Sequence, residues 1–463
     1  MSAFNLLYAR KVAPFRGMPG PTPRLPDGNL REYLRREPHE FYFAHAEQYG
    51  PVSVHWLLDK PYVLLNDPEL VGRVLTTERE RFYKDAPRGE AGAVLRSSVF
   101  ISNDRDWETK RTAHPFSRQD LEACLDRLMP TLRGTAREGA EALARGTQPF
   151  ELYAPLVDMS FAMFSQALLG QAPSPERRGR YEVLMREIDR RMHGVPLSVS
   201  PRFWLDRFLW FQELEAQLRQ RRASPDPAAP DILSLMVRQG SSLGEEWIRD
   251  EASTVFIAGA HPVATAVCST LYQLSRHPEM REQLVAELRG FTAVHSSGYT
   301  LGELHALPYL ERVVSESLRL LPPVTFFFRT VREGQSMRVG EHTLPAGTNV
   351  VVSSWALHRL APYWKDPLRF EPERFASPPP PFHYLPFGLG PRTCVGRPFA
   401  LACIKIMLTE ALTALSFNID PAFSPDMRFF AGLSVPRHPV RTSVRRLEAW
   451  PRVETTEGAL GST

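Results

Sequence analysis

One cysteine in this chain is placed where chemistry is possible. The run Phe387-Gly388-Leu389-Gly390-Pro391-Arg392-Thr393-Cys394-Val395-Gly396 surrounds Cys394 with glycines, so the backbone can turn tightly and present a thiolate to something flat or charged. Arg392, close to it in sequence, either lowers that thiol's pKa or binds an anion. An isolated free cysteine is ordinarily an inert small hydrophobe. Here the neighbours argue otherwise: the run satisfies F-x-x-G-x-R-x-C-x-G at all five fixed positions, a coincidence expected in roughly one chain of this length in ten thousand. The other cysteines, Cys124, Cys268 and Cys403, form no C-x-x-C pair and fit no secretory pattern. They argue for a reducing compartment and against zinc, and read as core residues.

The elements that must position this loop are mostly helical. Residues 52–66 read as a hairpin turning at Asp59-Lys60, so a small sheet lies near the start. From about residue 118 to 290, apolar residues such as Leu121, Cys124, Leu125, Leu128 and Leu132 recur at steps of three and four, which marks a helical array broken near Gly146, Gly170 and Pro225. Residues 245–277 form the longest helix candidate, about 50 Å if continuous. After 320 come short strands such as 347–353 and a last helix around 396–415. The fold class is therefore mainly α, an α+β mixture of a large helical array with small β-sheets, without internal repeats.

With 463 residues, 43% of them hydrophobic and 23% charged, the chain can bury a large core. A net charge of +4 from 56 basic and 52 acidic residues, with no dense basic run, discounts nucleic acid. The first 13 residues are too short and too charged for a span, and no other stretch is an uninterrupted run of apolar residues long enough to cross a membrane. A soluble, cytoplasmic protein without an integral membrane segment is expected. The organisation expected is one domain over 1–463, with a Pro-rich amino-terminal arm at 1–28 and a disordered tail at 452–463.

The cysteine segment resembles the haem-binding loop of the cytochrome P-450 family, and further motifs appear in that family's order across nearly the whole chain. Glu316-Ser317-Leu318-Arg319 resembles the family's E-x-x-R pair, and Phe370 to Phe375 resembles the segment whose Arg374 completes a three-member charge network. Alone, an i,i+3 pair is worth only a few tenths of a kcal/mol. Trp107 and Arg111 are similar to the family's W-x-x-x-R, one helical turn apart, which directs an indole N–H and a guanidinium at one haem propionate. Arg329, after Pro322-Pro323, and Arg392 match two more propionate positions. The resemblance implies haem b, with Cys394 as thiolate ligand to the iron and Phe387 and Gly396 shaping the loop. Thiolate donation favours O–O cleavage on the opposite side.

One segment departs from the pattern. Phe256 to Thr265, in the longest helix, resembles the family's central helix over the haem, where A-G-x is followed by an acid and a threonine that help deliver protons to dioxygen. Here Ala258 and Gly259 are followed by His261, Pro262 and Val263. Pro262 has no hydroxyl and removes the helical bond to the Ala258 carbonyl, so a kink is expected, with Gly259 permitting close approach to the haem. Loss of the pair should slow proton-coupled oxygen cleavage. The His-Pro pair is similar in kind to the base-proline pair of the family's peroxide-using branch. Other branches without the alcohol rearrange, dehydrate or transfer nitrogen groups from a substrate's own O–O or N–O bond. His261 reads either as an acid or anion anchor in such chemistry, or as a structural histidine bonded to a neighbour.

The expected substrate pocket is lined by Ala258, Val324, Phe326, Phe327, Phe328 and Leu433, along with residues 95–101, although a strand alternates faces and at least one of the phenylalanines belongs to the core. An apolar or aromatic small molecule of specialised, natural-product metabolism fits such a wall. No flavin or ferredoxin module follows residue 450, so dioxygen chemistry would draw electrons from a separate ferredoxin or flavodoxin with its reductase. Arg392, Arg397 and Lys405 are candidates for a positive docking patch. The readings that compete are atypical chemistry of the kind above, reductase-dependent monooxygenation with water- or substrate-assisted protons, and a non-catalytic haem-binding scaffold or gas sensor.

Overall fold

In the computed structural model the residues described are 2–84, 88–117, 120–193, 200–239 and 243–447. The expected tail at 452–463 lies outside them. The long apolar helix runs from Glu245 to Arg276. Its start carries Glu245 and Glu246 and its end Arg276, each complementing the helix dipole. Pro262 does not end it. The cost of a proline in a helix interior, about 3 kcal/mol, is offset because the flanking Ala260, Val263, Ala264 and Val267 are buried against neighbours.

This central helix packs most extensively on the Tyr153–Leu169 helix, and also on Arg397–Ala414, Pro201–Ala223 and Pro308–Leu320. It is the one helix among the described residues long and apolar enough to cross a membrane, and 83% of its apolar window is buried inside the fold. Breaks fall where the sequence places them: Gly170 caps the Tyr153–Leu169 helix in the left-handed conformation, and the Asp120–Arg145 helix ends beside Gly146.

The main sheet has five strands in the order Val52–Leu57, Lys60–Leu65, Asn349–Val352, Phe327–Val331 and Phe82–Tyr83. The first pair is the expected hairpin, and Lys60–Leu65 runs parallel to Asn349–Val352. A second hairpin, Met427–Phe430 with Leu433–Pro436, reaches from the carboxyl-terminal side toward the central helix. The amino-terminal arm is a packed element: Phe4, Phe15 and Met18 are buried with Trp56, Val54 and Leu65 on the main sheet. Three apolar side chains supply what a proline-rich composition concealed.

Candidate functional site

The cysteine loop is held by its own backbone. The Cys394 N–H donates to the Phe387 carbonyl at 2.8 Å, and the Thr393 N–H to Gly390 at 2.9 Å. Gly388 and Gly390 have φ of +73° and +70°. A Cβ at Gly390 would overlap the Leu75 carbonyl, so only glycine fits there. Gly396 precedes the Arg397–Ala414 helix, and its Cβ direction points at the Cys394 sulfur. Of the four cysteines, Cys394 alone is exposed. Burial within the concave loop pushes its thiol up, while the N–H groups of Gly396 and Arg397 and the charges of Arg111 and Arg397 pull it down. That is a thiol waiting for an electrophile or metal to take its proton's place. Cys403 and Cys268 are buried in the core.

A cluster of cations stands beside this loop. Arg392 donates to the Ser102 carbonyl and Asn103 Oδ1, both at 3.0 Å, and lies 4.5 Å over the Trp107 ring. Arg111, on the Asp104–Ala113 helix with Trp107, donates to the Thr393 carbonyl at 3.0 Å. Arg329 comes from the sheet and gives its Nη1 to the Phe328 carbonyl at 2.8 Å. Burial, then the charge of Arg392, push Arg329 down to about 10. Lys84 belongs to the same group: burial, then Arg329 and Arg392, push it well below its ordinary value. It donates to the Phe100 carbonyl at 2.8 Å, while Asn103 bridges its backbone to Arg392. After burial, the neighbouring positive charges disfavour the charge on Arg329 and Lys84, and an anion bound beside them would offset that. An accessible thiol with such a cluster beside it fits haem b, whose iron takes the sulfur and whose two propionates take the cations.

Behind the loop, Glu316 and Arg319 are fully buried and paired at 2.6 and 2.8 Å. Arg374 reaches Glu316 at 3.2 Å, and Arg319 also donates to the carbonyls of His358, Pro367 and Arg369. The network thus ties the Pro308–Leu320 helix to the segment leading into the cysteine loop. Breaking one partner of such a pair costs about 3–5 kcal/mol.

In the central helix, Ala258 is exposed and Gly259 and Pro262 are half-exposed among mostly buried residues. These three carry no side-chain donor. Val263 is 1% exposed: five residues on from Ala258 is roughly 140° round the helix, so it belongs to the core and not to the catalytic face. Gly259 also differs from expectation. A Cβ there would strike the Phe164 ring, so the glycine makes room for the Tyr153–Leu169 helix and its packing partner. His261 is 6% exposed and turned to the flank. Its Nδ1 shares a 2.9 Å hydrogen bond with the Tyr153 hydroxyl, its ring stacks on Tyr153 and Tyr181, and Phe430 meets it edge-on. Glu182, on the Pro175–Met192 helix, lies 3.5 Å from Nε2. Burial would raise the Glu182 carboxyl, but His261 and Arg178 outweigh it and hold it at about 2. His261 therefore ties helices together and does not anchor a ligand anion.

The phenylalanine run divides by strand alternation. Phe326 and Phe328 pack with Tyr42 and Tyr62, away from Arg329, and Phe326 also stacks on Phe429. Phe327 lies on the Arg329 side, packed against the apolar cluster that holds Leu75 and the sheet's Val350 and Val352. Phe326 and Phe328 are thus corrected to wall supports. Val324 and Leu433 pack in the apolar cluster that holds Val255. Lys405 is fully buried against Glu311 at 2.6 Å, so it adds nothing to a docking patch, whereas Arg397 is exposed. Sequence reading missed Lys84 and Asn103, since a lone lysine and a lone asparagine carry no spacing signal.

A family model described as Cytochrome P-450 matches residues 18–170 and 208–444. Among curated relatives, the chain is similar to the Probable cytochrome P-450 4aa1 of Drosophila melanogaster, 39% identical over 400 residues, covering 79% of this chain and 76% of that one. Cytochrome P-450 4d2 of the same organism is 26% identical over 446 residues, covering 85% and 87%. The Homo sapiens Cytochrome P-450 26B1 is 27% identical over 401 residues, covering 82% and 77%.

Proposed function

The chain belongs to the cytochrome P-450 family, and we propose that it oxidises or rearranges an apolar or aromatic small molecule, in specialised metabolism, without a side-chain hydroxyl on the central helix. Members bind haem b through a cysteine thiolate, and the bound haem supplies the redox and oxygen-transfer chemistry. In this chain Cys394 takes the ligand position. Arg111, Arg329, Arg392 and Lys84, with Trp107, would hold the propionates, and the apolar wall at Val324 and Leu433 would exclude water and orient the substrate.

The observation that carries the reading is the accessible face of the central helix. Pro262 stands there, and the adjacent titratable residue, His261, is engaged by Tyr153 and faces Glu182. Without a positioned acid or alcohol, dioxygen cleavage lacks its proton donor. Peroxide brings its own protons and electrons, and a substrate with an O–O or N–O bond brings the bond to be broken. Either oxidant suits this face.

The test is turnover of an aromatic and fatty-acyl panel by haem-loaded protein, with peroxide alone and with a ferredoxin or flavodoxin, its reductase and dioxygen. Product without reductase supports the reading. Product only with reductase and dioxygen replaces it with monooxygenation whose proton comes from water or substrate.

A further inference from the structure

Two acids interrupt the apolar central helix and have no part in the site so far. Glu251 is 1% exposed, and its carboxylate serves two other elements. The Val99 N–H donates to Oε2 at 2.8 Å, and His114 Nε2 lies 3.1 Å from Oε1. The Phe116 N–H donates to His114 Nδ1 at 3.2 Å, so the ring proton sits on Nε2 and is given to Glu251. Neighbouring Asp250 accepts the Ser97 N–H at 3.2 Å and the Ser97 hydroxyl at 2.9 Å. Two consecutive acids thus grip the segment 97–99.

His114 caps the Asp104–Ala113 helix, which bears Trp107 and Arg111. Glu251 precedes Ala258 by seven residues, two helical turns, and so shares the face of Ala258 and Pro262. Its charge reaches the cluster by the cysteine: burial pushes Arg111 down, and Cys394 and Glu251 oppose that shift.

We propose that Glu251 is a positioning residue for the haem end of the site, fixing the arginine-bearing helix through His114 and the segment over the cavity through Val99, and setting the negative charge that Arg111 and the haem iron meet. The proposal rests on the haem-site reading above. A buried carboxylate acts in a low dielectric, and neutralising it withdraws stabilisation from the more positive, oxidised iron. A Gln at 251 accepts from Val99 or from His114 but not from both, since its amide NH2 then meets the other N–H donor to donor.

The test uses haem-loaded protein. Glu251→Gln should move the ferric–ferrous couple to a more positive potential while keeping the thiolate-type carbonyl spectrum. His114→Gln, whose amide can donate from the Nε2 position, should keep the wild-type potential. An unmoved potential in Glu251→Gln with the spectrum intact overturns the proposal. A wild-type chain lacking that spectrum overturns the haem-site reading and this one with it. Should Glu251→Gln fail to fold, His114→Phe carries the test: haem transfer to an apo-globin acceptor should speed by about tenfold, the equivalent of one charge-assisted hydrogen bond, and an unchanged transfer rate overturns the proposal.

Discussion

Around the cysteine loop, the groups are fixed by polar contacts: Cys394 by the Phe387 carbonyl, Arg392 by Ser102 and Asn103, Arg111 by Thr393, Arg319 by Glu316 and three carbonyls. The open face of the central helix instead offers Ala258, Gly259 and Pro262, none with a side-chain donor, and its histidine is turned to a neighbouring helix. A scaffold that holds a charged cofactor in place needs many directional bonds and has little freedom to vary. The open face of the central helix carries shape without directional bonds, and Pro262 stands in it without ending the helix.

The largest effect should come from the first region. Cys394→Ser removes the sulfur ligand, so the thiolate-type carbonyl spectrum should vanish along with turnover. A retained spectrum would contradict the ligand assignment. Arg319→Ala comes next, because it takes from the fully buried Glu316 its bidentate partner and leaves only Arg374: chemical denaturation should show a loss of about 3–5 kcal/mol, and a loss below about 1 kcal/mol would place that network among ordinary surface pairs. Neither change touches the central helix.

Smaller effects belong to the second region. His261→Ala should leave haem content unchanged and alter substrate affinity through the Pro175–Met192 helix; haem loss would instead place His261 on the cofactor side. Glu182 gives a pH signature. Its carboxyl is held at about 2 against an ordinary 4.5, so its contribution is complete above 4.5 and is lost as pH falls toward 2. Acid unfolding of Glu182→Gln should therefore be flatter over that range, by about 1–3 kcal/mol. A parallel acid limb would show that Glu182 is already screened by solvent.

The same contrast explains what was legible in the sequence. A loop that demands glycine at 390 because Leu75 is in the way, or an arginine three residues from its glutamate, writes its geometry as residue types at fixed spacing. The helical array and hairpins were readable from period and turn residues for the same reason. Facing was not. Whether His261 and Val263 look into the cavity depends on Tyr153, Tyr181 and Phe430, which come from distant parts of the chain. Strand alternation announced that some of Phe326, Phe327 and Phe328 were core, and only Tyr42 and Tyr62 decide which. Glu251 did leave a signal, an acid beside another acid inside an apolar helix, which a bare motif search passes over.

The central claim is that the oxygen step does not depend on a hydroxyl at position 262. Pro262→Thr tests it most directly, with peroxide-driven and reductase-driven product formation measured side by side against wild type. Wild type should favour peroxide or a substrate-borne O–O or N–O bond, and the variant should gain reductase-coupled product with its haem spectrum unchanged. Efficient reductase-coupled product in wild type, with no gain in the variant, would contradict the account.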